Sequence, residues 1–513
     1  MAEHRKNSLP FKYEEYFNTD DLEADLKNRS VRGGAIVLIS QASKFLLQMG
    51  STIVLARLLT PSDYGLIEMV TVIIRFVQLF KDLGLSNATI QQSEISHEQV
   101  STLFWINIAL SSAIALLVAL IAPFVAEFYG QPDLEKITLA LASIFIFSGL
   151  TVQHQALLMR KMEFASLAKV DVVSILAGVI AAIVSAMCGA GYWALVILQL
   201  ATNIVNAIGI WVYCRWRPGL PSRQADVSSM LAFGGNLTGF NAVNYFSRNL
   251  DNILIGRVWG DQALGLYGKA YQLILLPIQQ INNPITNVAL PTLSRLQNQP
   301  EQYRRYYLKA ILLIVTIGMP VVAFMFACTD LLILAILGEQ WLDAVPIFRW
   351  LAPAAFIGTL NVADGWTYQS LALTDRLFRW GIFASTCNVI VFLISIRWGV
   401  VGVAISYSLF LIVFKIPAIL YCFQKTPLRF VDLVRTIYKP MVASIGAAMI
   451  VILIDNAIAI KIQVVVALLI YALLYGFCYL AIWMLLPNGR STLLNIVQIV
   501  KELKKPPTIT RVD

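Results

Sequence analysis

The sequence predicts an all-α, polytopic membrane protein of about fourteen transmembrane helices, arranged as two six-helix lobes related by a pseudo-two-fold axis along the membrane normal, plus two appended helices. Three observations predict it. Of 513 residues, 58% are hydrophobic and only 13% are charged, where a soluble globular domain carries about 25% charged residues. Apolar stretches recur at the length of roughly 20 residues that a helix needs to cross a bilayer. Positive charge alternates from one linker to the next, and basic residues gather on the cytoplasmic side of membrane proteins.

The spans begin near residues 33, 64, 101, 134, 164 and 191. A linker containing Arg215-Trp216-Arg217-Pro218 follows, and further spans begin near 227, 262, 303, 344, 376, 400, 437 and 462. The boundaries are an N-terminal tail (1–32), a first lobe (33–214), an inter-lobe linker (215–226), a second lobe (227–423), the appended spans (424–486) and a C-terminal tail (487–513). The tails and even-numbered linkers hold 28 Lys and Arg, and the odd-numbered linkers hold five: Arg57, Lys136, Arg257, Arg397 and Lys461. Both termini are therefore expected in the cytoplasm. The net charge of +9 is accounted for by linkers that face anionic headgroups, with no nucleic-acid partner implied. The N-terminal tail carries Glu14, Glu15, Asp20 and Asp21 and no apolar core, so the first span is expected to act as an uncleaved insertion signal. Leu493, Ile496, Val497 and Val500, followed by Lys501, Lys504 and Lys505, fit either a helix lying on the inner membrane surface or a solvated tail.

The chain also repeats itself. Leu55-Ala56-Arg57 with Gly65-Leu66 matches Ile255-Gly256-Arg257 with Gly265-Leu266 at an offset of 200, without a gap. Gln155 and Phe164 match Gln369 and Phe378, and Gly191 with Tyr213-Cys214 matches Gly399 with Tyr421-Cys422. Three matches in the same order point to duplication of a six-span unit. Both arginine linkers face outward under the charge rule, so the repeat is parallel, as in some transporters.

Six cations fall inside apolar stretches, where charge is costly and usually functional: Lys44, Arg75, Arg248, Lys269, Arg349 and Lys415. Four of them sit on polar stripes with helical spacing of three and four residues. Span one has Ser40, Lys44, Gln48 and Ser51; span two has Glu68, Thr71, Arg75, Gln78 and Asp82; span seven has Asn241, Asn244, Arg248 and Asp251; span eight has Lys269, Gln272, Gln279 and Asn283. Lys44 and Arg75 are expected about 16 Å deep, near the midplane. The stripes fall on equivalent spans of the two repeats, which suggests one hydrated cleft between the halves. A slight excess of cations there suits an anionic substrate such as a phosphate or diphosphate, and amides suit sugar hydroxyls. The expected substrate-binding residues are Lys44, Arg75, Arg248 and Lys269 with Gln48, Gln78, Asn244 and Gln272. An equally physical alternative makes Arg75–Glu68 and Arg248–Asp251 structural pairs. Glu68, Asp251 and Asp364 are candidates for ion coupling, and a hydrogen-bonded structural role for Asp364 is as consistent. Lys415 and Arg349 read as snorkelling or structural. Pro277, Pro284 and Pro320 read as static kinks or hinges.

No catalytic or metal signature accompanies these stripes. The six cysteines are isolated, His4, His97 and His154 lack metal-ligand neighbours, and no phosphate-binding glycine loop occurs. Neither a catalytic residue, a cofactor nor a metal is expected, and the chain is not read as an enzyme.

The segment from Leu55-Ala56-Arg57-Leu58-Leu59-Thr60-Pro61 through Ser62-Asp63-Tyr64-Gly65-Leu66, the stretch Asp82-Leu83-Gly84-Leu85-Ser86-Asn87, Asn283-Pro284-Ile285-Thr286, and Gly338-Glu339-Gln340-Trp341 carry a family likeness. On these residues the chain resembles the Wzx-type polysaccharide transporters, the WzxC-like kind among them, of the multidrug/oligosaccharidyl-lipid/polysaccharide exporter superfamily. The resemblance covers about residues 30 to 425. It implies two lobes around a V-shaped cavity and a flippase in the bacterial inner membrane. It also implies that undecaprenyl-diphosphate-linked oligosaccharide is turned from the cytoplasmic to the periplasmic leaflet by alternating access, coupled to an ion gradient. Membrane lipids, a polysaccharide polymerase and glycosyltransferases are the partners in view. The acidic N-terminal extension, and the lack of an acid in span one, depart from drug-extruding members of the superfamily. Ion-coupled drug or metabolite antiport, and a scaffold for a polysaccharide-synthesis complex, are the alternative functions. The first predicts an acid-dominated pocket, which the cation excess opposes. The second predicts tolerance to loss of the buried charges.

Overall fold

Local signals set the helix ends. Thr60 caps a helix that starts at Pro61: its hydroxyl accepts from the Asp63 N–H at 3.3 Å while Asp63 accepts from the Thr60 N–H at 2.8 Å, a reciprocal box that satisfies two otherwise orphaned donors. Ser96 and Gln99 form the same box before His97. Gly130, in the left-handed conformation, ends that helix, as glycine commonly does.

The computed structural model describes residues 17, 26–81, 85–92, 95–222, 228–458 and 463–494. The proposed amphipathic helix beyond Leu493 lies largely outside them, as do most of the N-terminal tail and residues 223–227 of the inter-lobe linker. Among the described residues the regular structure is helical: α1 (Leu26–Leu58), α2 (Pro61–Gln78), a short α3 (Leu85–Gln91), α4 (His97–Tyr129), α5 (Asp133–Arg160), α6 (Phe164–Met187), α7 (Trp193–Tyr213) and α8 (Ser228–Arg295). There follow α9 (Pro300–Ala327), α10 (Thr329–Ile336), α11 (Ala344–Gly358), α12 (Asn361–Ser370), α13 (Thr374–Ser395), α14 (Gly399–Phe423), α15 (Phe430–Ile458) and α16 (Val464–Leu485).

These helices account for the fourteen spans. The long α8 holds the seventh and eighth, and its direction changes at Gly260, the one non-helical residue within it (φ 81°, ψ −174°). That φ is open to glycine and strained for most other residues. The seventh and eighth spans therefore meet at one residue, without a loop. The helix continues through Pro277, Pro284 and Pro291 without another non-helical residue. The tenth span is divided into α11 and α12, which meet at Thr359–Leu360. Nine helical segments of the described residues are long and apolar enough to cross a membrane, and α1, α2 and α8 are not among them. Those three carry the polar stripes; α2 alone has Asp63, Glu68 and Arg75 in 18 residues.

The chain divides into two compact units, Met1–Gly265 and Leu266–Asp513. In the first, α4 packs along α5, α6 along α7, and α1 along α6. Its core includes Leu103, Phe104, Leu157, Ile210 and Trp216. Trp216 belongs to the inter-lobe linker, and it is fully buried. Its indole N–H donates to His97 Nδ1 at 2.9 Å. Farther on, Trp105 Nε1 donates to the Gly219 carbonyl at 2.8 Å and the Gly219 N–H donates to Ser101 Oγ at 2.9 Å. The linker is thus strapped to the start of α4 at least as far as Ser222, whose N–H donates to Thr102 Oγ1 at 3.0 Å. In the second unit α9 packs on α15, α11 on α14 and α15 on α16. Tyr303, Tyr307, Trp366 and Tyr368 fill one core, and Tyr471, Tyr475, Tyr479 and Trp483 line a second.

Candidate functional site

Each cation on the polar stripes has its own surroundings. Lys44 lies in the middle of α1 and pairs with Asp171 of α6, with side-chain exposures of 22% and 36%. Asn206 Nδ2 on α7 donates to the other Asp171 oxygen at 3.5 Å, and Gln155 Nε2 on α5 donates to Asn206 Oδ1 at 3.3 Å. A polar relay therefore crosses four helices of the first unit. The stripe of Lys44 itself holds no acid; the acid comes from a neighbouring helix 127 residues away. The available signal was an aspartate inside the fifth span, next to residues assigned to the inner membrane edge.

Arg75 lies in the last turn of α2, so it is not at mid-helix as the span edges suggested. The helix ends at Gln78, and a cation in a last turn also meets the negative end of the helix dipole. Its guanidinium is 3.9 Å from Glu68, with side-chain exposures of 57% and 26%. That spacing makes a loose contact and leaves most of the guanidinium free for another acceptor. Beside it, Phe76 packs on Phe246 and Tyr245 of α8 with ring centroids 4.5 Å and 5.9 Å apart. Tyr245 Oη donates to the Val72 carbonyl at 2.8 Å. Arg248, exposed, stands three residues beyond Tyr245 and so shares its face of the helix. The contact between α2 and α8 thus brings the exposed Arg75 and Arg248 to the same stretch of the first unit.

Gln48 is exposed and Gln78 half-buried. The side chain of Asn244 lies outside the described residues. Asp251 is buried and accepts from the Asn252 N–H at 2.9 Å. In the second unit Lys269 donates to Gln272 Oε1, one turn on, at 3.0 Å. Asp364 pairs with Lys415 at 2.7 Å, the residue expected as snorkelling or structural. Arg349 pairs with Asp330. No group of three or more His, Cys, Asp or Glu able to hold a metal occurs among the described residues.

The repeated motif meets itself in the first unit. A Cβ on Gly65 would fall 1.8 Å from the Asp261 carbonyl oxygen, and a Cβ on Gly265 would fall 1.8 Å from that of Pro61. Residue 261 is residue 61 displaced by the offset of 200, so the contact is reciprocal, as across a local two-fold axis. The Ser62 hydroxyl donates to Asp261 alongside.

Polar relays, exposed arginines and reciprocal repeat contacts thus lie on the helices of a multi-pass membrane protein. Comparison with known proteins agrees. The chain is 26% identical over 393 residues to the lipopolysaccharide biosynthesis protein WzxC of Escherichia coli, covering 75% of this chain and 79% of that protein. It is 30% identical over 308 residues to the teichuronic acid biosynthesis protein TuaB of Bacillus subtilis, covering 60% of this chain and 64% of that protein. In fold it is similar to the lipid II flippase MurJ in an inward closed conformation, with a TM-score of 0.71 at 13% identity, over 90% of this chain and 99% of that one. A family model described as polysaccharide biosynthesis protein matches residues 54–346, more than half of the sequence, and the chain belongs to that family.

Proposed function

We propose that this multi-pass membrane protein is a flippase for undecaprenyl-diphosphate-linked oligosaccharide repeat units. It would move them from the cytoplasmic to the periplasmic leaflet of a bacterial inner membrane by alternating access, with both termini in the cytoplasm. The observation that carries this reading is the pair of exposed arginines, Arg75 and Arg248, beside one aromatic contact between α2 and α8. A cation on a membrane helix is tolerable where it meets water or an anion. Two guanidinium forks match the oxygens of a diphosphate. The family, and the likeness to a lipid II flippase in fold, support a lipid-linked glycan as the cargo. Lys44 is assigned to the same headgroup and the amides of Gln48, Gln78 and Asn244 to its sugars; in the second unit Lys269 and Gln272 are assigned to substrate as well. The role is transport: the protein binds and moves the glycolipid without making or breaking its bonds. A polymerase and glycosyltransferases are its proposed neighbours in the membrane.

The test is loss of polymer with retention of the protein. Arg75→Ala and Arg248→Ala are each expected to cut surface polysaccharide by more than tenfold while membrane levels of the protein stay normal. In the same cells, labelled lipid-linked oligosaccharide is expected to accumulate in the cytoplasmic leaflet. Full polysaccharide output from the double variant refutes the assignment.

A further inference from the structure

A second charged centre lies in the second unit, on residues not assigned to substrate. Lys415 on α14 is 8% exposed at its side chain and Asp364 on α12 is 19% exposed. The ammonium is fully coordinated. Its three N–H donors match three oxygens: Asp364 Oδ2 at 2.7 Å, Asn361 Oδ1 at 3.2 Å and the Leu360 carbonyl at 3.2 Å. The break between α11 and α12 frees that carbonyl, because the helix does not continue through Leu360. The carboxylate is not fully coordinated. Asp364 Oδ1 is buried and accepts no hydrogen bond, although a buried acceptor ordinarily has a partner.

Other titratable groups face this centre from each neighbouring helix. Tyr303 and Tyr307 come from α9, Tyr368 shares α12 with Asp364, and Cys422 comes from α14. Arg376 of α13 acts on Tyr368. None of them supplies a second acid, so Asp364 is the carboxylate of this cluster and Oδ1 is its oxygen without a hydrogen-bond partner.

A cavity abuts Asn361, whose Oδ1 accepts from Lys415. This cavity, of about 90 Å³, lies between α8, α11 and α14, lined by Tyr271, Ile278, Ala355, Tyr407 and Asn361. One water occupies about 30 Å³, so the cavity has room for a short file of them. Tyr271 and Tyr407, whose hydroxyls are 3.3 Å apart, and Asn361 give it polar lining along an otherwise apolar wall.

We propose that Asp364 is the proton-accepting residue that couples transport to a proton gradient, that Lys415 is its charge-positioning partner, and that the cavity at Asn361 is the proton's route. The inference rests on the flippase reading for the word transport, and on the geometry alone for the switch. The step balances without a further reactant. A hydronium ion in the cavity gives its proton to Asp364 Oδ1: an O–H bond forms there, one breaks in the hydronium, and water remains. The carboxyl becomes neutral, Lys415 keeps its proton, and the centre gains one positive charge. An ammonium without its counter-charge in a buried site is strongly disfavoured, so α12 and α14 separate locally until Lys415 reaches water or an anion. Deprotonation toward the opposite side restores the pair.

Cys422 reports this opening, because its thiol donates to the Asp364 carbonyl at 3.8 Å and it is fully buried. The full-length protein in liposomes is treated with N-ethylmaleimide from about pH 5 to pH 8, and modification of Cys422 is read by mass spectrometry of its peptide. Each rate is divided by that of Asp364→Asn at the same pH, which cancels the ionisation of the thiol. The ratio is expected to climb at least about fivefold as the pH falls and to approach one, since asparagine mimics the protonated carboxyl. The double variant Asp364→Asn with Lys415→Met carries no charge to strand, and it keeps the test available if the single variant does not fold. Its Cys422 is expected to stay shielded at every pH once corrected by unfolded peptide. A flat wild-type ratio, or a double variant that keeps the wild-type profile, overturns the proposal. So does a profile that follows sodium at fixed pH. In the same liposomes, a fluorescent undecaprenyl-diphosphate glycan reports flipping: a gradient-driven rate in the wild type that the double variant loses is the expected result. Absence of flipping in the wild type with an intact Cys422 profile rejects the flippase reading and leaves the switch standing. Gradient-driven flipping with a flat profile rejects the switch and leaves the flippase.

Discussion

Removing Asp171 separates the two roles that Lys44 can have. The pair is half-buried, with 22% of the lysine side chain and 36% of the aspartate exposed. Breaking a fully buried pair costs about 3–5 kcal/mol and an exposed one about 0–1 kcal/mol. The intermediate exposure places Asp171→Asn at about 1–3 kcal/mol, a fall of a few degrees in melting temperature for a protein of this size. The double change Asp171→Asn with Lys44→Met strands no charge, and it is expected to regain most of that stability. Function follows a different course. If the ammonium binds a diphosphate oxygen, its loss removes a charged hydrogen bond worth about 1.5–3 kcal/mol, or about 10–100-fold in affinity. The double variant is then expected to be stable and deficient in flipping. Melting of purified protein by fluorescence-detected gel filtration reads the first quantity, and leaflet-resolved labelling of lipid-linked oligosaccharide reads the second. A stable double variant with full transport refutes a substrate role for Lys44. An Asp171→Asn protein that melts like wild type refutes the pairing.

Three further outcomes are expected. Gly65→Ala and Gly265→Ala each place a methyl 1.8 Å from a backbone oxygen, far inside contact distance, and are expected to lower the melting temperature by an amount corresponding to at least about 1–3 kcal/mol. Wild-type melting for either refutes the close approach. Cys188, exposed in the linker between α6 and α7, is expected to react with a membrane-impermeant maleimide added outside cells. Cys214 is buried, its thiol pushed up to about 11 by desolvation, which keeps it protonated and unreactive at neutral pH, and it is expected to stay unlabelled; labelling of Cys188 only in inverted vesicles reverses the topology. Trp216→Ala empties a fully buried site and removes the donor to His97; a loss of about 3–5 kcal/mol and faster proteolysis in the inter-lobe linker are expected, and unchanged cleavage shows that the strap does not depend on it.

The membrane architecture was legible because its signals are local and additive. Span length and hydropathy mark α4 to α7 without ambiguity, and the break between the seventh and eighth spans falls at Gly260, close to the expected start near 262. The motif repeat at Arg57 and Arg257 was legible for the same reason, since it needs only matching residues at a constant offset. Partnerships were not. Asp171 reaches Lys44 across 127 residues and Asp364 reaches Lys415 across 51. Helical spacing reports neighbours on one helix and is silent about the facing one. The place of Arg75 along its helix was not legible because hydropathy does not say where α2 stops; its end at Gln78 leaves the arginine in the last turn.

Gly65 lies against the Asp261 backbone and Gly265 against that of Pro61, and this restricts how the two repeated segments can evolve. After most duplications the two copies drift apart, each answering to its own surroundings. At this seam each copy is the surroundings of the other. A bulkier residue accepted on one side consumes space that the other side already uses, so divergence there must be matched or forgone. A chimaera that imports the leading half from a distant relative would have to bring residues 257–265 with it.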